Sequence, residues 1–92
     1  MELMDCQLVE KESLSSSHFK SVLKIKQDPL LKKQIEQAAI LGNIHHSKVN
    51  IFFMDDEGYK RVNTTIWAYG DSFILLKGGI FIPIDHIVRI EV

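Results

Sequence analysis

Two different spacings of apolar residues divide the chain. Between Asp28 and Asn43 they recur every three or four positions, and from Lys48 onward they alternate. In the first stretch, Leu31, Ile35, Ala38 and Ala39 form one stripe that Leu41 extends. Lys32, Lys33, Gln34, Glu36 and Gln37 fall mostly elsewhere, as on an amphipathic helix. Asp28 is a suitable N-cap, and Pro29 suits the first helical position, where a missing N–H costs nothing. Gly42 and Asn43 tolerate a left-handed C-terminal cap. The spacing predicts a helix over 29–41.

The preceding residues are less regular. Leu3, Met4, Cys6, Leu8 and Val9 suit a short edge strand, and residues 1–17 read as that or as a poorly ordered segment. Residues 10–17 are polar and end in Ser15-Ser16-Ser17, a break in which Ser17 is a candidate cap. Phe19, Val22 and Leu23 then predict a first helix over about 18–27, although Val22 to Lys26 also suits a strand. The helical part therefore spans 18–43.

In the second stretch, Val49, Ile51 and Phe53 alternate with Asn50, Phe52 and Met54. Asp55-Asp56-Glu57-Gly58 is a turn whose glycine accepts positive φ. Tyr59 to Tyr69 reads as one long strand, with Val62, Thr64, Ile66 and Ala68 on one face and Arg61, Asn63, Thr65 and Trp67 on the other. Gly70-Asp71 turns the chain into Phe73–Lys77. Gly78-Gly79 predicts a two-residue hairpin turn into Ile80–Ile84. Pro83 belongs on an edge, at a bulge or at a strand end. After Asp85-His86 a last strand covers Ile87–Val92. The expected fold is α+β: an N-terminal helix or helices, then a strongly bent antiparallel sheet of four or five strands, close to a small barrel, with 48–92 as a meander. Phe73-Ile74-Leu75-Leu76 and Ile80-Phe81-Ile82 carry apolar side chains on both faces. One barrel interior accepts one face, so the surplus predicts self-association.

Ninety-two residues fit a single domain over 1–92, and 46% hydrophobic with 25% charged residues is ordinary globular composition. A formal charge of −1 supplies no general attraction for nucleic acid or anionic membrane. The single Cys6 excludes a disulfide scaffold within the chain and points to a reducing, cytoplasmic setting. No apolar run approaches the ~20 residues that span a bilayer, so no membrane partner is expected.

Candidate chemistry is sparse. His45-His46 resembles a metal pair, but adjacent residues on an extended chain point to opposite faces. Asp85-His86 has no nucleophile in register. Asp55-Asp56-Glu57 lacks the ligand spacing of a calcium loop and reads as a solvated tip. Ser15-Ser16-Ser17-His18 lacks an orienting acid. Asn63-Thr64-Thr65 matches a glycosylation sequon without a secretory signal before it. No enzyme activity, metal or cofactor is expected. Trp67 and Tyr69, near Arg61 and Asn63, are the residue types that stack unpaired bases beside basic groups. The plainer reading packs Trp67 under the helix or in a subunit interface.

Gly70-Asp71-Ser72-Phe73-Ile74-Leu75-Leu76-Lys77 resembles the acid, aromatic and aliphatic run of the Sm-like family, which includes a bacterial RNA chaperone. Ile84-Asp85-His86-Ile87-Val88 resembles that family's second motif, with His86 on its histidine and Ile84-Asp85 where the chaperone has Tyr-Lys. The resemblance implies a helix followed by a bent barrel, ring assembly and RNA binding. Ile82 to Ile87 is also similar to the closing strands of PRC-type and bacterial PH-like domains. Two functions are therefore expected to compete. One is a non-catalytic binding or assembly module acting through protein contacts, as a homo-oligomer or with a protein partner. The other is an Sm-like RNA binder. For either, the candidate contacts are Arg61, Asn63, Trp67, Tyr69 and His86.

Overall fold

The computed structural model describes residues 7–9, 25–55 and 58–91. A short strand, β1 (Gln7–Val9), comes first. The helix α1 (Leu31–His45) follows, and then β2 (Val49–Asp55), β3 (Gly58–Thr64), β4 (Ile66–Tyr69), β5 (Phe73–Leu76) and β6 (Ile80–Pro83). A 3-10 turn (Ile84–His86) leads into β7 (Ile87–Glu91). The strands make two sheets, ordered β1-β3-β2-β7 and β4-β5-β6. All pairings are antiparallel except β1 with β3, which is parallel. The helix packs against β4 of one sheet and β7 of the other.

One apolar cluster joins the three parts. Leu31, Ile35, Ala38 and Ala39 supply the helix stripe; Val49, Ile51, Phe53, Val62, Ile87 and Ile90 come from the four-stranded sheet; Ile66, Ile74, Leu76 and Ile82 come from the three-stranded sheet. The alternating pattern of β2 and β3 directs one set of side chains inward, as a half-buried sheet requires.

The expected architecture needs correction. The chain is not an N-terminal helix followed by a barrel: a strand precedes the helix, the helix lies mid-chain, and two separate sheets replace a closed barrel. The cause lies at Thr65. Val62, Thr64, Thr65 and Ile66 are all buried, which breaks the two-residue period. The anticipated single strand from Tyr59 to Tyr69 therefore bends at Thr65 and passes from one sheet to the other, as strands do at corners. A register shift between Ile66 and Ala68 leaves Trp67 as an extra residue and turns Ala68 outward. The meander is interrupted again after β6, where β7 returns to pair with β2.

The helix boundaries also differ. Residues 25–28 are not helical, and the rest of the anticipated 18–27 helix, with the Ser17 cap, lies outside the described residues. Asp28 acts one step earlier than a cap at the helix start: its Oδ1 accepts from Leu30 N at 2.8 Å and its carbonyl from Leu31 N at 3.0 Å, across a Pro29-Leu30 turn. The helix runs past Gly42-Asn43 and ends at His46, the left-handed C-cap (φ 54°), whose N–H donates to Gly42 O. Gly42 instead serves the close approach of α1 to β4. The Gly78-Gly79 hairpin has three loop residues, Lys77 to Gly79, because Leu76 pairs with Ile80. Gly78 (φ 96°) and Gly79 (φ 86°) both take the positive φ that their composition suggested.

Candidate interaction surface

The three-stranded sheet shows its inner face, carrying Ile66, Ile74, Leu76 and Ile82, to the core. Its outer face carries Ala68, Phe73, Leu75 and Phe81. Phe73 and Phe81 remain 48% and 56% exposed. Their rings meet edge to face at 6.0 Å between centroids, the diagonal cross-strand contact that aromatic pairs favour. A shallow depression of 470 Å³ lies over this face, lined by Ala68, Tyr69, Phe73, Leu75 and Phe81 among others.

The ladder has a phase that fixes what the free edge of β6 offers. Ile84 N donates to Ser72 O at 2.9 Å. That bond flanks the Phe73–Pro83 pair, so the pair is a non-hydrogen-bonded one, and the pairs alternate from there. Ile80 and Ile82 consequently turn their backbone groups toward β5. Phe81 turns its N–H and C=O to the open edge, and Pro83 turns only a C=O there. Pro83 thus stands where a missing N–H breaks no ladder bond.

The edges of β7 and β4 are covered. Along β7, Asp28 N donates to Val88 O at 2.9 Å, Ile90 N donates to Gln34 Oε1 at 2.9 Å, and Gln27 Nε2 donates to the carbonyls of Ile84 and Ile87. Along β4 lies the helix, close enough that a Cβ on Gly42 would stand 2.3 Å from Ile66 O. Among the described residues, nothing pairs with the outer edge of β6. The uncovered edge and the exposed aromatic pair therefore coincide.

The five anticipated contact residues do not form one site. Arg61 and Asn63 lie on the outer face of the four-stranded sheet, where Asn63 Nδ2 donates to Asn50 Oδ1 at 3.1 Å. Phe52 pairs with Arg61 on one side and Arg89 on the other, and the Arg89 guanidinium lies 5.5 Å from the Phe52 ring centroid. Arg89 also pairs with Glu91. Trp67 and Tyr69 are on β4 and half-exposed, so Trp67 does not pack under the helix within this chain. His86 is buried, and its Nδ1 lies 2.9 Å from Met54 O on β2.

The remaining polar candidates hold structure together. Asp55 is not part of a solvated tip. It is buried on the core-facing side of the β2–β3 hairpin, with Oδ2 at 2.7 Å from Lys60 Nζ; Asp56 and Glu57 lie outside the described residues, as does the Ser15–His18 group. His45 and His46 are exposed at the helix end, and among the described residues no three metal-ligating side chains gather. A cleft of 350 Å³ between the start of α1 and the Gly70-Asp71 turn is floored by Leu31 and Ile35 and rimmed by Lys32 and Tyr69. Among the described residues no helix is long and apolar enough to cross a membrane.

No family model, curated protein or solved structure matches the chain. The residues of the apolar outer face were legible as a surplus of apolar side chains on β5 and β6, but nothing in the alternation marked Phe73 and Phe81 as the exposed members.

Proposed function

We propose that this chain is a non-catalytic binding module that works through protein contacts made by the outer face of β4-β5-β6. The observation that carries this reading is the exposed Phe73–Phe81 pair beside a strand edge that nothing pairs with among the described residues. Contiguous apolar surface rimmed by polar residues marks interaction sites, and half-exposed aromatic side chains are the usual anchors of such interfaces. The polar surroundings here are Asp71, Ser72 and Lys77, all exposed. A cytoplasmic setting accords with the lone thiol and remains part of the proposal. The test is photo-crosslinking in cells expressing the chain, with a benzophenone side chain placed at Phe73 or, as control, at Asn63. Protein adducts at position 73 and none at 63 are the expected result; their absence at 73 overturns the reading.

A second reading, contact with single-stranded RNA, draws on the Arg61–Phe52–Arg89 row. A row of guanidinium groups on a sheet face suits phosphate contact, while Phe52, 6% exposed, backs the arginines and leaves no ring face for a base. It predicts binding that falls steeply with salt. A filter-binding titration with mixed single-stranded RNA at low and moderate salt separates it from the apolar reading. Retention unaffected by Arg61→Ala and Arg89→Ala would remove it.

A further inference from the structure

We propose that the occupant of the β6 edge is a second copy of this chain, added antiparallel about a two-fold axis through Phe81, so that the two three-stranded sheets become one of six strands. This rests on the protein-contact reading above and names its partner.

Three features of the edge favour a copy of itself. The first is its hydrogen-bonding set. Phe81 presents both an N–H and a C=O outward, by the ladder phase that the Ile84 N to Ser72 O bond fixes. A two-fold pairing satisfies both at once: each Phe81 N–H donates to the carbonyl of the partner's Phe81. Pro83 has no amide to lose, so its position limits the pairing to the centre of the strand and disfavours a longer added peptide.

The second feature is the side-chain face. Directly opposed residues in an antiparallel pair lie on the same side of the sheet. Phe81 against the partner's Phe81 places both rings on the outer face, where each already meets its own Phe73 edge to face. The two exposed aromatic pairs join into one cluster across the axis. The inner face then sets Ile80 beside the partner's Ile82, which keeps apolar with apolar.

The third feature is charge. Lys77 precedes Phe81 by four residues and Asp85 follows it by four, and both are exposed. In this arrangement the turn that carries Lys77 in each chain falls at the same end of the seam as the 3-10 turn that carries Asp85 of the other, twice by symmetry. A register centred on Ile82 leaves the Phe81 carbonyl unpaired, because Pro83 opposite it has no N–H. The edge is four residues long, so the contact falls below the ~1,200 Å² of a standard interface. The dimer is therefore expected to form and dissociate between micromolar and millimolar concentration.

Sedimentation equilibrium of the full chain across that range tests the assignment. Dimer mass at the upper end is expected, with Phe81→Glu monomeric throughout and unchanged in its far-ultraviolet circular dichroism. The register is tested by charge. Lys77→Glu and Asp85→Lys should each weaken dimerisation about threefold or more, because each sets like charges together. An equimolar mixture of the two variants restores both opposite pairs and should associate more tightly than either alone. A monomer mass for the natural chain at every concentration overturns the proposal, as does a Phe81→Glu variant that dimerises normally. A mixture no tighter than its components overturns this register. Crosslinking from position 73 keeps the two readings apart. Adducts only with other proteins leave the protein-contact reading standing and remove self-pairing, whereas no protein adduct at all removes both.

Discussion

Gly42 of the helix and Ile66 of β4 stand closer than any other residue type at position 42 would permit. A Cβ there would lie 2.3 Å from the Ile66 carbonyl oxygen and 3.0 Å from Thr65 Cγ2. The obstacle is backbone, which cannot rotate aside as a flexible side chain does. Gly42→Ala gains about 1 kcal/mol of helix propensity, but it must lift the helix from the sheet, and overpacking of a tight core costs about 1–3 kcal/mol or more. A lower urea midpoint is expected. An unchanged or higher midpoint would show that the helix does not sit this close to β4.

The Asp55–Lys60 pair gives a different signature. Both side chains are buried, so removing one partner takes a 2.7 Å ion pair from a charge that has little access to water. Asp55→Ala is expected to destabilise by about 3–5 kcal/mol. Replacing both at once, Asp55→Leu with Lys60→Met, is expected to restore most of that loss, because desolvation of two charges disappears with their attraction. A double-mutant cycle in denaturant measures the difference. Additive losses would place the two side chains apart.

The covering of the β7 edge rests partly on one side chain. Gln34 Oε1 accepts from Ile90 N at 2.9 Å. Gln34→Met keeps the unbranched side-chain length on the helix and leaves that partly buried amide without an acceptor, at about 1–3 kcal/mol. The expected readout is local as well as global: the Ile90 amide should exchange with deuterium faster, relative to the Ile51 amide, than in the natural chain. Equal acceleration of both amides, or no change at Ile90, would contradict the role assigned to Gln34.

The helix stripe is the most direct link between pattern and packing. Leu31 and Ile35 are 6% and 3% exposed and belong to the joint cluster of helix and both sheets. Truncation of either to alanine is expected to cost about 2–5 kcal/mol. Ile40 and Ile44, on the exposed side of the same helix, serve as controls whose truncation should leave the midpoint nearly unchanged.

Local signals in the sequence determined the local elements. The three-to-four spacing of Leu31, Ile35 and Ala38 marked the helix, the alternation from Val49 marked β2 and β3, and glycines marked the positive-φ turns, because those features depend on neighbours a few residues away. Asp28-Pro29 located the helix start to within two residues for the same reason. The apolar excess of β5 and β6 was also visible, although not which of its members face outward. Tertiary structure alone decided the rest. Whether Tyr59–Tyr69 is one strand or two depends on Thr65 and Ile66 both being buried where the two sheets and the helix meet. Whether Gly42 ends a helix or admits a carbonyl depends on β4, more than twenty positions away. The edge pairing of β7 with Gln27, Asp28 and Gln34 and the openness of β6 follow from which segments happen to lie alongside. Period and propensity carry no information about such long-range neighbours, so the split into two sheets and the position of the candidate interface emerged only when distant residues were brought together.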